Sequence, residues 1–213
     1  MRLYSRWQNS AGERVRIALN LKNVPYDYVP VGSLPQGAYR RLNPQGLLPA
    51  LDVHGRIIAQ STAILEYLEE IFPQPALLPE DPIERAQARA FAQLITSDLH
   101  PLNNHRVRVY LSRQLGASDE AVSGWYRHWV AAAFAALEEA LAARPRQSSF
   151  CYGEAPGWAD LHLVPQLANA RRFDCDLSAY PRLRAVERAC AGLDAFLRAR
   201  PEAQPDYPSA TAQ

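Results

Sequence analysis

Four prolines crowd the stretch from Phe72 to Ile83, at positions 73, 75, 79 and 82. A proline lacks an N–H, and its ring collides with the carbonyl one helical turn back, so no helix runs through such a stretch. Its stiffness suits a linker between domains. It divides the 213 residues into two parts with different patterning. Strand and helix signals mix ahead of it; strand signals nearly vanish after it. The length suits one large domain or two small ones. The expectation is an α/β domain over 1–75, a linker over 76–82 and an all-helical domain over 83–213.

In the first part, residues 2–5 read as a short strand and Trp7 to Ser10 as a polar loop. Val15, Ile17, Ala18, Leu19 and Leu21 then carry helical spacing to Asn23, before Pro25. Tyr26 to Val31 alternates like a strand, and a Gly/Pro-rich stretch from Gly32 leads to the turn Asn43-Pro44-Gln45-Gly46. Leu48 to Val53 and Arg56 to Ala59 flank His54-Gly55, a hairpin signature. Gln60-Ser61 opens a helix with Ile64, Leu65, Leu68 and Ile71 on its apolar face.

In the second part, Glu84 to Gln114 reads as one long helix kinked at Pro101. Ser118-Asp119-Glu120 starts the next, with a serine N-cap and an acidic first turn. Residues 157–171, 178–190 and 192–199 supply three more. The tail after Pro201 is polar and reads as draped or loose.

Composition excludes several classes. Hydrophobic residues make up 48% and charged residues 21%, too apolar for disorder. A net charge of +1 points to neither nucleic acid nor an anionic membrane. Cys151, Cys175 and Cys190 are odd in number and lack metal-ligand spacing, which fits a reducing cytoplasm with free thiols and no metal. No apolar run approaches the length of a membrane span. Of the 23 basic residues only Lys22 is a lysine, so individual arginines invite scrutiny as carboxylate binders.

Three places suit chemistry. Leu48-Pro49 precedes a strand; a cis bond there would turn the Leu48 backbone toward an extended peptide, and a strand-capping proline is the alternative. Gln60-Ser61 offers an amide, a hydroxyl and unpaired N–H groups to a carboxylate, or simply an N-cap. Gln8-Asn9-Ser10-Ala11 precedes the first helix, where donors favour a thiolate or cap the helix. The run Asp98 to Arg108 adds His100, Asn103, Asn104, His105, Arg106 and Arg108, as a binding face or a solvated one. His100 and His105 are badly spaced for one zinc ion.

Arg14 to Leu19, Leu42-Asn43-Pro44-Gln45-Gly46-Leu47-Leu48-Pro49-Ala50-Leu51, Gln60 to Ile64, Ala159 to Gln166, Ala170 to Phe173 and Gln204-Pro205-Asp206 resemble the glutathione transferases, and within them the zeta class, which includes maleylacetoacetate and maleylpyruvate isomerases. The resemblance spans the chain. It implies a thioredoxin-like N-terminal domain, a helical C-terminal domain, a homodimer, and glutathione as cofactor. It implies a cis-Pro49 with Leu48 pairing glutathione's cysteinyl unit, and Gln60 and Ser61 on the γ-glutamyl carboxylate. Asn104 and Arg106 are implied beside the glutathione or substrate pocket with His100 near them, and Arg172 and Gln8 beside the substrate, an electrophile or dicarboxylate, with Arg172 and Arg106 as the candidates for its carboxylates. Ser10 and Asn9 fall where the family activates the thiol, with Asn9 replacing the usual serine and Gln8 a frequent basic residue. The loop from Gly32 to Ala38 is shorter than usual, and Gly157 replaces a Ser/Thr cap, with Asp160 left to bond first-turn amides. The activity implied is glutathione-dependent cis–trans isomerisation of a maleyl ring-fission product; conjugation or dehalogenation of other electrophiles and non-catalytic ligand binding are the rivals.

Overall fold

The computed structural model describes residues 1–208. The chain forms two compact units: Met1–Leu77 with the described part of Ala191–Gln213, and Leu78–Cys190.

The first unit runs β1 (Arg2–Ser5), α1 (Ser10–Leu21), β2 (Asp27–Pro30), α2 (Ala38–Leu42), β3 (Ala50–Val53), β4 (Arg56–Ala59) and α3 (Ser61–Ile71). The sheet order is β2-β1-β3-β4, with β1 and β2 parallel and the other pairs antiparallel. This is the order of a thioredoxin-like domain. His54 and Gly55 both take left-handed backbone in the β3–β4 hairpin, and Asp52 Oδ1 accepts the Gly55 N–H at 2.7 Å. β3 starts two residues later than the apolar run suggests, which leaves Leu48 and Pro49 outside the strand.

Helix α1 is unlike a surface helix, since Ser10 through Asn20 are all buried. Lys22 closes it. Its ammonium meets Glu69 Oε2 at 2.7 Å and the Phe72 and Pro75 carbonyls at 2.5 and 2.9 Å. All three donors are spent tying α1 to the start of the proline-rich stretch.

The second unit begins with α4 (Pro82–Gln93), whose N–H groups at Ile83 and Glu84 are capped by Asp81 Oδ1 at 2.9 Å. The single long helix expected over 84–114 is instead broken. A π-helical turn spans Leu94–Leu99, α5 covers His100–Leu102, and α6 runs His105–Arg113. Pro101 has no N–H for the carbonyl of Ser97, and the wider π turn absorbs that loss. Asn103 is buried and donates to the Tyr126 carbonyl at 3.1 Å; Asn104 caps α6 through the Arg106 N–H at 3.1 Å. The paired asparagines thus each serve the break.

Then follow α7 (Asp119–Ala142), α8 (Trp158–Arg172) and α9 (Pro181–Cys190). Glu138 of α7 is buried and accepts the Arg182 and Leu183 N–H groups, capping α9. The described hydrogen bonds to the Asp160 oxygens come instead from the Gly157 N–H at 2.9 Å and the Cys151 N–H at 2.8 Å, since a carboxylate at this position reaches back to the N–H of the N-cap residue whatever its side chain. Cys151 and Cys190 are buried free thiols, and Cys175 is half-buried.

The C-terminal stretch departs from expectation. It packs within the first unit rather than closing the helical one. α10 (Asp194–Leu197) lies on α1, where Asn20 Nδ2 donates to the Ala195 carbonyl at 2.9 Å. Arg16, fully buried, donates to the Ala199 carbonyl at 2.9 Å. Of the two readings of the tail, draped or loose, it is draped through Tyr207; residues 209–213 lie outside the described residues.

This cover traps a carboxyl. Burial lifts Glu13 from 4.5 to about 7, against the pull of Arg16 and Arg14, with Glu202 adding to the rise and Arg200 opposing it. A folded pKa above the unfolded value means that the native state holds the proton more tightly. The stability from this proton is complete below pH 4.5 and is lost as pH climbs to about 7. The loss is on the order of 3 kcal/mol. Unfolding midpoints of the wild type should fall across that window, and Glu13→Gln should flatten the slope. Identical slopes would assign the titration to another group.

Candidate functional site

The strand register gathers three loops. Tyr4 near the end of β1 stands opposite Ala50 at the start of β3, and Ala50 stands opposite Ala59 at the end of β4. The turns that leave β1, enter β3 and leave β4 therefore share one edge of the sheet. They carry Gln8, Asn9 and Ser10; Leu48 and Pro49; and Gln60 and Ser61.

Asn9 is the N-cap of α1, its side chain accepting the Gly12 N–H. That leaves the Asn9 amide nitrogen as a donor. Ser10 is the first helical residue, buried, with no capping bond of its own. Gly12 allows the tight fit, since a Cβ there would stand 2.1 Å from Ser5 Oγ and 2.8 Å from Asn9 Oδ1. Gln8 is half-buried in the loop.

The Leu48-Pro49 bond is cis. The residue before it is pinned: the Leu47 carbonyl accepts from Tyr39 Oη at 2.6 Å and from Asn43 Nδ2 at 2.8 Å. Gly46 takes the left-handed backbone that the preceding turn requires, at φ 70°. No described hydrogen bond engages the Leu48 N–H or C=O. Pro49 is buried and Leu48 half-exposed.

Gln60 has φ 72° and ψ 120°, a strained conformation for a residue with a Cβ. It turns the chain abruptly into α3, whose first N–H groups have no side-chain cap. Gln60 Nε2 donates to Gln45 Oε1 at 2.8 Å, and Ser61 is buried at the helix start. An uncapped N-terminus flanked by an amide and a hydroxyl is a carboxylate receptor. This edge can thus pair an extended peptide with the Leu48 backbone, hold a carboxylate at Ser61 and stabilise a thiolate at Ser10.

The second unit places the remaining residues. His100 lies on α5, half-buried; Asn104 caps α6; Arg106 is exposed in its first turn. Arg172 ends α8, exposed, and donates to Asn169 Oδ1 at 3.2 Å. Among the described residues no group of His, Cys, Asp or Glu comes together to hold a metal, and no helix is long and apolar enough to cross a membrane.

Residue-by-residue reading missed what holds the thiol-side loop. Asp206 accepts the Trp7 N–H at 3.1 Å and the Tyr28 hydroxyl at 2.8 Å, while Arg16 donates to the Trp7 carbonyl at 3.4 Å. Tyr207 packs edge-on against the Trp7 ring, centroids 5.1 Å apart. The sequence signal was the Gln204-Pro205-Asp206 motif, whose role is invisible without its partners. Asp206→Ala strands two donors and should lower the stability of the first unit by about 2 kcal/mol in urea unfolding. Asp206→Asn, keeping one acceptor, should recover part of it. A midpoint unchanged in both variants would show that the clasp is not needed.

A family profile described as the N-terminal domain of glutathione S-transferase matches residues 10–71. A maleylpyruvate isomerase from a Ralstonia species is 47% identical over 97% of this chain and 99% of its own. A holo structure of a bacterial maleylpyruvate isomerase, described as a zeta-class glutathione S-transferase, superposes with a TM-score of 0.93 at 47% identity, covering 98% of this chain and 100% of that one. The maleylacetoacetate isomerase of Anaeromyxobacter dehalogenans, crystallised with dicarboxyethyl glutathione and citrate in its active site, matches at 42% identity with a TM-score of 0.85, covering 98% and 97%.

Proposed function

The chain belongs to the zeta class of the glutathione transferase family, and from that premise we propose that it is a glutathione-dependent isomerase that converts a maleyl ring-fission product, maleylpyruvate or maleylacetoacetate, to its fumaryl isomer. One observation carries the reading: a relative of the same fold binds dicarboxyethyl glutathione. That group is what remains when a thiol adds across the double bond of a four-carbon unsaturated dicarboxylate.

The residues divide the work as follows. The Leu48 backbone pairs with glutathione's cysteinyl unit, and Gln60 and Ser61 hold its γ-glutamyl carboxylate at the uncapped start of α3. Ser10 Oγ and the Asn9 amide donate to the sulfur, helped by the N-terminus of α1. Asn104, Arg106 and His100 serve glutathione, and Arg172 and Gln8 serve the substrate. The thiolate adds to one alkene carbon, leaving a single bond and an enolate on the conjugated carbonyl. The bond rotates, the enolate collapses, and the thiolate leaves from the trans product, so no proton is gained or lost overall. A homodimer working in the cytoplasm, in aromatic degradation, fits this reading.

The purified protein with glutathione should convert maleylpyruvate or maleylacetoacetate to the trans product, followed by the change in absorbance. Without glutathione the conversion should vanish. Inertness toward both substrates combined with conjugation of chloroacetates would favour the second reading, a transferase for other electrophiles, which the uncharged Gln8 supports.

Thiol activation separates two neighbours. Ser10→Ala should raise the pKa of bound glutathione's thiol, read from thiolate absorbance against pH, and lower turnover roughly 10²-fold or more by analogy with a lost oxyanion donor. An unshifted titration in Ser10→Ala beside a shifted one in Asn9→Ala would move the role to Asn9.

A further inference from the structure

Two guanidinium groups of the second unit without a described acid partner share one aromatic shelf. Arg108 lies one turn beyond Asn104 on α6, and Arg172 ends α8. Both meet one aromatic shelf. Phe173 stacks on Tyr126 with centroids 3.8 Å apart. The Arg108 Cζ lies 4.5 Å from the Phe173 centroid and 5.9 Å from that of Tyr126; the Arg172 Cζ lies 5.7 Å from Phe173.

Three other arginines of the second unit do have acids: Arg171 pairs with both carboxylate oxygens of Glu187, Arg127 with Glu120 and Arg182 with Glu138. Arg108 and Arg172 have neutral anchors only. Arg108 Nε donates to the Asn103 carbonyl at 3.3 Å, and Arg172 Nη1 to Asn169 Oδ1 at 3.2 Å. Each anchor fixes the direction of a fork and leaves other N–H groups open. The arrangement is electrostatically unfinished. Burial, and beyond it the like charge of Arg172, pull the Arg108 guanidinium below its ordinary pKa, with only the Tyr126 hydroxyl opposing. A half-buried cation facing a second cation is costly until an anion joins them. The aromatic faces hold both in place meanwhile.

We propose that Arg108 is a second carboxylate-binding residue of the substrate site, which with Arg172 receives the two ends of a short dicarboxylate. This rests on the isomerase reading for the identity of the substrate, but the binding itself does not require turnover. Arg108 then selects dicarboxylates over monocarboxylates of the same length. Asn103 thus ties the break between α5 and α6 to α7 with its side chain and offers Arg108 its backbone carbonyl.

The test uses the full-length protein with glutathione, and fumarate and crotonate as probes, which differ by one carboxylate. In calorimetry the wild type should bind fumarate more tightly than crotonate. Arg108→Met should weaken fumarate about 10- to 100-fold, toward the level of crotonate, with glutathione affinity unchanged. Arg108→Lys, which keeps the charge without the fork, should recover only part. Unchanged fumarate affinity in Arg108→Met would overturn the proposal. So would equal loss of fumarate and glutathione, which a packing role would give, and so would a wild type that does not distinguish the two acids. A wild type that binds fumarate through Arg108 yet isomerises neither maleyl substrate would sink the isomerase reading and leave this inference standing.

Discussion

The antiparallel register of β1 and β3 is the constraint on which the first unit's chemistry depends. Because Tyr4, Ala50 and Ala59 stand side by side, the chain must leave β1, enter β3 and leave β4 at one edge. A slip of one residue would send each side chain to the other face of the sheet and take the three turns out of line. Two helices start at this edge, and both present free N–H groups and the positive ends of their dipoles. The edge is therefore suited to anions before any particular side chain is considered. Side chains then divide it: strain at Gln60 aims one terminus, and the Asn9 cap shapes the other.

The register places the edge but does not hold the β1–α1 turn, which is polar and follows a strand of only four residues. That turn is held from outside the sheet. Arg16 and Asp206 take the carbonyl and the N–H of Trp7, so the residue ahead of Gln8 is fixed on both sides. The same C-terminal stretch covers part of α1, which explains how an N-terminal helix can carry Glu13, Arg16 and Asn20 without exposing them. The buried charges are the consequence of recruiting a late part of the chain to stabilise an early loop.

The order of elements was legible because each has a local signal: the hairpin at His54-Gly55, the serine cap at Ser118, and the prolines of the linker. The cis bond before Pro49 and the helix start at Ser61 were legible through their motifs. What was not legible depended on distant partners. Nothing near Asp206 announces Trp7 or Tyr28, so the tail read only as draped or loose, with no partner named. The break after Leu94 was read as a kink because Pro101 marks a disturbance without saying whether a π turn will absorb it. Asp160 was assigned to first-turn amides in place of the missing Ser/Thr cap, whereas it reaches back to the Gly157 N–H and across to the Cys151 N–H, a partner no local signal announces. Arg108 was one basic residue in a run, and only the packing of Phe173 on Tyr126 distinguishes it from Arg106.

The departures at Gln8 and Asn9 bear on how strongly the thiol is activated. A cation beside the sulfur would lower its pKa most, and Gln8 and Asn9, the residues directly ahead of Ser10, carry none. The donors that the proposed reading assigns to the sulfur are neutral: the Ser10 hydroxyl, the Asn9 amide nitrogen and the N–H groups of α1. They favour the thiolate only modestly. For an isomerisation that is not a simple loss. The same sulfur must attack the alkene and later depart from the adduct. Lowering a thiol's pKa increases the fraction ionised but reduces the nucleophilicity of each thiolate, and the attacking thiol is best matched when its pKa lies near the ambient pH. Departure, in contrast, improves as the pKa falls. Neutral donors place the sulfur between these demands, and the burden of stabilising the intermediate shifts to whatever holds the substrate's carboxylates and enolate.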